Sequence, residues 1–122
     1  MANRVREIKH AQREALIYKE ISNLFVRVAH DEKALASLYV NRVSLSPDRS
    51  NCTVYFQTLG GLEDFEAKLR TLILYKPSLR TALAKTLHGR YVPDLVFKYD
   101  DQFDKQRRVE DLIDKLKDEG KL

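Results

Sequence analysis

The chain has little of what crosslinks a small protein, binds a cofactor or crosses a membrane. It has a single cysteine, Cys52, among 122 residues. That excludes an internal disulfide framework and leaves no thiol set for a zinc site; the expectation is a reducing, intracellular setting. Cys52 itself is expected to be a small buried or edge residue. Four glycines and three prolines are too few for a flexible linker or a low-complexity segment. No apolar run approaches the roughly 18–20 residues a membrane span needs, so no membrane partner is expected. The first twenty residues carry no apolar signal region, and Glu7, Glu14 and Glu20 argue against an organelle transit peptide. His10, His30 and His88 are scattered without metal-ligand spacing. The chain also lacks a phosphate-binding P-loop, a dinucleotide fingerprint and a Gly-x-Ser-x-Gly elbow. These absences leave no catalytic constellation. The expectations are no enzyme activity, no metal, no cofactor and no small-molecule substrate.

Composition and length fit one globular domain. Hydrophobic residues make up 43% of the chain, and a chain this long can bury roughly two thirds of its unfolded surface. The net charge is +4 and the pI about 9.2, a moderate lean toward anionic partners. The lean is concentrated. From Lys68 through Pro93 the chain holds Lys68, Arg70, Lys76, Arg80, Lys85, Arg90 and His88, and no acidic residue. From Asp94 onward acids slightly outnumber bases.

Residues 3–30 contain no glycine or proline and are rich in helix formers, which predicts one long helix. Its apolar stripe changes phase near Leu16. Val5, Ile8, Ala11 and Ala15 share one face; Ile17, Ile21, Leu24, Phe25 and Val28 share another, nearly opposite. The second half is therefore the packed part. The first half is expected to be a frayed extension or a surface that packs on something else. The domain division drawn from this is 1–16 as an extension, 17–103 as the folded domain, and 104–122 as a closing helix and tail.

Leu38 to Leu45 and Thr53 to Phe56 have strand character, and Ser46-Pro47-Asp48-Arg49-Ser50-Asn51 supplies a turn between them, predicting an antiparallel hairpin. Gly60-Gly61 ends it. Leu62 to Leu74 has helical spacing, with Glu63, Asp64 and Glu66 near its positive end. Pro77 breaks that helix at Tyr75-Lys76 and opens a new one with the stripe Leu79, Leu83 and Leu87; Gly89 is its expected stop. Pro93 to Tyr99 forms a strand closed by Asp100-Asp101. Val109, Leu112, Ile113 and Leu116 mark a last amphipathic helix.

The order helix–strand–strand–helix–helix–strand, with a helix appended, predicts an α+β domain. It has a three-stranded sheet, helices on one face, and the element order of the type II KH fold. KH modules clamp single-stranded nucleic acid with a Gly-x-x-Gly loop between the two central helices. Here Tyr75-Lys76-Pro77 occupies that joint.

Three stretches resemble the ribosome-binding factor A family of bacterial-type small-subunit maturation factors. They are Ile17-Tyr18-Lys19-Glu20-Ile21-Ser22; Val43-Ser44-Leu45-Ser46-Pro47-Asp48 leading to Val54-Tyr55; and Leu79-Arg80 through Arg90-Tyr91-Val92-Pro93-Asp94-Leu95-Val96-Phe97-Lys98-Tyr99-Asp100-Asp101. Arg108-Val109-Glu110-Asp111-Leu112-Ile113 matches the family's closing helix. Tyr75, Lys76 and Pro77 stand where the family has an Ala-x-Gly kink. The resemblance implies a KH-like, cytoplasmic, monomeric factor. It implies binding to the immature small (30S) ribosomal subunit and its rRNA, and promotion of late maturation and rRNA end processing.

The candidate RNA-contacting residues are Lys68, Arg70, Tyr75, Lys76, Arg80, Lys85, Arg90, Lys19 and Arg27. Lys68, Lys76 and Lys85 are the stronger phosphate candidates, because no acidic neighbour in the basic stretch neutralises them. Arg80 either buttresses the fold through an ion pair or meets RNA. Arg90 meets RNA or pairs with Asp94 or Asp100. Tyr75 offers a stacking ring or a core contact. The alternative to an RNA-binding factor is a protein-docking module that uses the phase-flipped first helix and the last helix, with RNA contact incidental.

Overall fold

A computed structural model describes residues 2–88 and 91–120. Gly89 and Arg90, the expected helix stop and one candidate RNA contact, lie outside the described residues. The elements run α1 (Ala2–Asp31), a short 3-10 turn (Lys33–Leu35), β1 (Tyr39–Leu45), β2 (Asn51–Gln57), α2 (Gly61–Leu74), α3 (Lys76–Thr86), β3 (Asp94–Tyr99) and α4 (Gln102–Asp118). β1 and β2 pair antiparallel through the predicted hairpin, and β2 pairs parallel with β3. Parallel neighbours need a crossover, and α2 and α3 supply it. The architecture is the expected KH-like α+β fold.

α1 is unbroken, because nothing in its first thirty residues interrupts helical hydrogen bonding. Ile17, Ile21 and Phe25, four residues apart, bury one stripe; Leu24, Val28 and Ala29 pack beside it. Two side chains of the first half bond to the domain. The Leu45 N–H donates to Glu14 Oε2 at 3.0 Å, and His10 Nε2 donates to the Leu45 carbonyl at 3.0 Å. β1 is an edge strand, so among the described residues its outward backbone groups have no strand partner. Two helix side chains satisfy them at Leu45 instead.

Phe56 on β2 centres the core. Its ring meets Phe25 edge-on at 5.0 Å, Phe97 edge-on at 5.4 Å, and Phe65 in a stack at 6.1 Å. Leu35, from the 3-10 turn, is fully buried; that turn lies between the predicted first helix and first strand, in a segment with no predicted element. The β1–β2 register shifts between Val40 and Arg42. This bulge lets Val40 and Val43, three residues apart, both face the core.

The hairpin turn is built around Asp48. Its carboxylate accepts from Ser46 Oγ (2.8 Å), Ser50 N (3.1 Å) and Ser50 Oγ (2.7 Å). These bonds, led by Ser50, hold the Asp48 carboxyl down to about 2. Arg49 follows in the left-handed region, with φ of 63°.

The α2–α3 joint is the single residue Tyr75, and Pro77 sits in the first turn of α3, where its missing N–H costs no helical bond. α4 leaves the body at Asp101. Among the described residues no other element packs against it, and Val109, Leu112 and Ile113 are exposed. Among the described residues no helix is long and apolar enough to cross a membrane.

Candidate nucleic-acid interface

The basic residues separate into those the fold has already used and those it leaves outward. Lys68 belongs to the first group. It pairs with Asp64 Oδ1 at 2.8 Å, one helical turn earlier, and also donates to Ser37 Oγ. Asp64 accepts further from Thr58 Oγ1 at 2.6 Å and from Ser37 Oγ at 3.0 Å. Lys68 first, then Thr58 and Ser37, hold the Asp64 carboxyl down to about 2. The expectation that Lys68 lacks an acidic neighbour is corrected: its acid lies four residues upstream, just before the acid-free stretch begins.

Arg80 also has a structural partner. Its Nη2 reaches Asp94 Oδ1 at 3.2 Å and donates to the Val92 carbonyl at 3.2 Å. Asp100, the other candidate partner of Arg90, is held by Arg42 Nε at 2.9 Å and Asn41 Nδ2 at 2.8 Å. Asp94 and Asp100 are thus both engaged by other residues.

Tyr75 is half-buried against the core, and its hydroxyl donates to Glu32 Oε2 at 3.2 Å. Desolvation, and then the Glu32 charge, push this phenol above its ordinary range. Tyr75 therefore ties the α2–α3 joint to the end of α1. Lys76, also half-buried, holds its ammonium 5.1 Å from the centre of the Phe97 ring. Lys76 and Arg80, one turn apart on α3, are both engaged with β3 or the segment leading into it.

Arg70 on α2, Lys85 on α3, and Lys19 and Arg27 on α1 form the second group. All four are exposed, and among the described residues none has an acidic partner. Lys85 borders a shallow depression with Pro77, Ser78 and Thr81. Cys52 is fully buried on β2, and burial pushes its thiol up to about 12, which removes it as a nucleophile. Among the described residues no group of three or more His, Cys, Asp or Glu could hold a metal.

A second basic surface was only partly visible in the sequence. Lys9 and Arg13 on α1 share a cleft with Arg49 of the hairpin turn and Tyr91 before β3. Lys9 and Arg13 stand out as part of a basic helix. Arg49, flanked by Asp48, and Tyr91 carry no local signal that the fold brings them there.

The sequence profile of the family described as "Ribosome-binding factor A" matches residues 9–113. A ribosome-binding factor A from Dictyoglomus thermophilum is 31% identical over 106 residues, covering 87% of this chain and 86% of the relative. The crystal structure of ribosome-binding factor A from Thermus thermophilus superposes with a TM-score of 0.62 at 29% identity, covering 74% of this chain and 94% of that one. A homology model of the Thermus thermophilus protein, fitted into the cryo-EM map of a 30S-RbfA complex, has a TM-score of 0.53 at 27% identity, covering 72% of this chain and 91% of that one. The profile spans most of the long helix, the sheet, the α2–α3 joint and most of α4, and the solved relatives share the KH-like core: the chain belongs to the ribosome-binding factor A family.

Proposed function

We propose that this protein is a non-catalytic assembly factor that binds the immature 30S subunit and its rRNA in the cytoplasm. It acts as a monomer and promotes late maturation and rRNA end processing. The observation that carries this reading is the set of exposed cations, Arg70, Lys85, Lys19 and Arg27, which among the described residues have no acidic partner, on the helices of a KH-like domain. Family membership, and the relative fitted into a 30S complex, support the same partner. Phosphate contacts from these side chains would supply affinity, and the shape of the folded rRNA would supply specificity. Trimming of rRNA ends falls to a nuclease that the factor assists. The test is crosslinking of the protein to precursor small subunits and mapping of the joined nucleotides. Crosslinks to rRNA through α2 and α3 are expected; crosslinks only to ribosomal proteins would overturn the RNA reading.

The docking alternative has one observation of its own, the exposed apolar row of α4. Under that reading, loss of α4 removes a protein partner and leaves RNA binding unchanged.

A further inference from the structure

The cleft between the first half of α1, the hairpin turn and the entry to β3 has a volume of about 530 Å³, within the roughly 300–1,000 Å³ of small-ligand sites. Its apolar floor comes from Leu45, Leu87 and Pro93, all buried. Lys9, Arg13 and Arg49 bring three cations to it, and Tyr91 brings an exposed ring.

Among the described residues no acid lines the cleft. The three carboxylates directly adjacent in sequence to a lining residue are occupied elsewhere. Glu14 accepts from the Leu45 N–H, Asp48 is enclosed by Ser46 and Ser50, and Asp94 is paired with Arg80. Arg13 and Arg49 are half-buried and, among the described residues, have no acidic partner. Partly desolvated cations without a counter-charge favour an anionic occupant.

Arg49 adds an independent observation. Its φ of 63° lies in a region that glycine adopts freely and a long side chain does not. Glycine would satisfy the turn with less strain, yet an arginine stands here and faces the cleft. Backbone strain at a residue that brings charge to a concave surface is a mark of function.

We propose that this cleft takes one unstacked nucleotide of single-stranded RNA. The base stacks on Tyr91 over the apolar floor, and the flanking phosphates meet Arg49, Arg13 and Lys9. Gln12, also on the lining, offers a donor and an acceptor to a base edge. A nucleotide supplies both a flat apolar face and a negative charge, the pair of properties the lining complements. An acidic peptide supplies only the charge. The proposal rests on the reading of the protein as an RNA-binding factor, and it locates a contact away from the α2–α3 joint where KH modules carry their clamp.

The experiment is fluorescence anisotropy of an end-labelled oligouridylate with the full chain, across a salt series. Tyr91→Ala is expected to weaken binding about 5- to 150-fold with the salt slope unchanged. Arg49→Gly is expected to weaken binding and lower the slope by about one, while its urea midpoint stays at or above that of the parent. The midpoint shows that any loss is not a folding defect. Wild-type affinity in both variants, alongside a loss in Lys85→Gln, overturns the cleft and leaves the assembly-factor reading standing. No oligouridylate binding by a parent chain that still binds small subunits has the same meaning. An oligoglutamate that binds more tightly than the RNA, and is lost with the same variants, makes the cleft a peptide site and overturns the proposal.

Discussion

Arg42 Nε donates to Asp100 Oδ2 at 2.9 Å, joining the bulge of β1 to the end of β3 across the width of the sheet. The strand between them is crossed as well, because the Arg42 guanidinium lies 3.7 Å over the Tyr55 ring of β2. Asp100 is only 2% exposed. Burial pushes its carboxyl up, but the bonds from Arg42, Asn41 and the Gln102 N–H outweigh that and leave it below the usual range. Arg42→Ala removes one partner from a buried carboxylate. Since the arginine is more than a third exposed, the expected loss is about 1–3 kcal/mol, below the full cost of orphaning a buried ion pair. Arg42→Lys recovers little, because an ammonium cannot lie flat on Tyr55 and donate from the same plane. Urea unfolding of the two variants measures both effects.

The Asp64 cluster predicts a pH dependence. Asp64 titrates near 2 when folded, against an ordinary 3.8. The unfolded chain binds the proton first as pH falls, so the cluster's contribution is fully present above the unfolded value. It is lost as pH drops toward 2. The urea midpoint of the parent should fall steeply below about pH 4, and that of Asp64→Asn less steeply. Parallel profiles would show that the cluster does not link protonation to folding.

Leu35→Ala is expected to cost about 2–5 kcal/mol, the range for emptying a well-packed leucine site. The site isolates that effect well, because Leu35 belongs to a 3-10 turn of only three residues, which contributes little stability besides the burial of that side chain. Thermal unfolding followed by circular dichroism measures it.

Salt dependence separates the two groups of cations. Lys85→Gln should lower the salt slope of small-subunit binding by about one, the value for one lost phosphate contact. Lys68→Gln and Arg80→Gln should leave the slope unchanged, because Asp64 and Asp94 already hold those charges. Affinity that does not vary with salt would remove the basis for an rRNA contact.

α4 predicts an asymmetry between stability and binding. Leu112 is 57% exposed and packs on no other element among the described residues. Leu112→Asp should therefore change stability by no more than about 0.5 kcal/mol. If it abolishes capture of a ribosomal protein while RNA affinity holds, the docking reading gains. A large loss of stability would mean that α4 folds back onto the domain.

The elements were legible where local chemistry dictates them. Pro77 marks the helix break, the Ser46–Asn51 segment marks the hairpin, and the alternation through Leu95, Phe97 and Tyr99 marks the last strand. The less legible features join distant residues. Glu14 and His10 bond to the backbone of Leu45, and a backbone partner leaves no trace in side-chain pattern. Arg80 finds Asp94 across the α3–β3 connection. The Lys68–Asp64 pair has the one-turn spacing of a helical ion pair, but it straddles the edge of the acid-free stretch that begins at Lys68. Tyr91 and Arg49 meet around one cleft only because β2 and β3 run parallel.

The His10 and Glu14 bonds to Leu45 have a further consequence for how the sheet ends. An open edge strand is a template on which another chain can polymerise. At Leu45 the helix occupies the groups that a fourth strand would need. At the opposite side Pro93 offers no N–H just ahead of β3, and Lys98 stands exposed along it. The same contacts that hold α1 to the domain thus keep the three-stranded sheet from growing into a longer one.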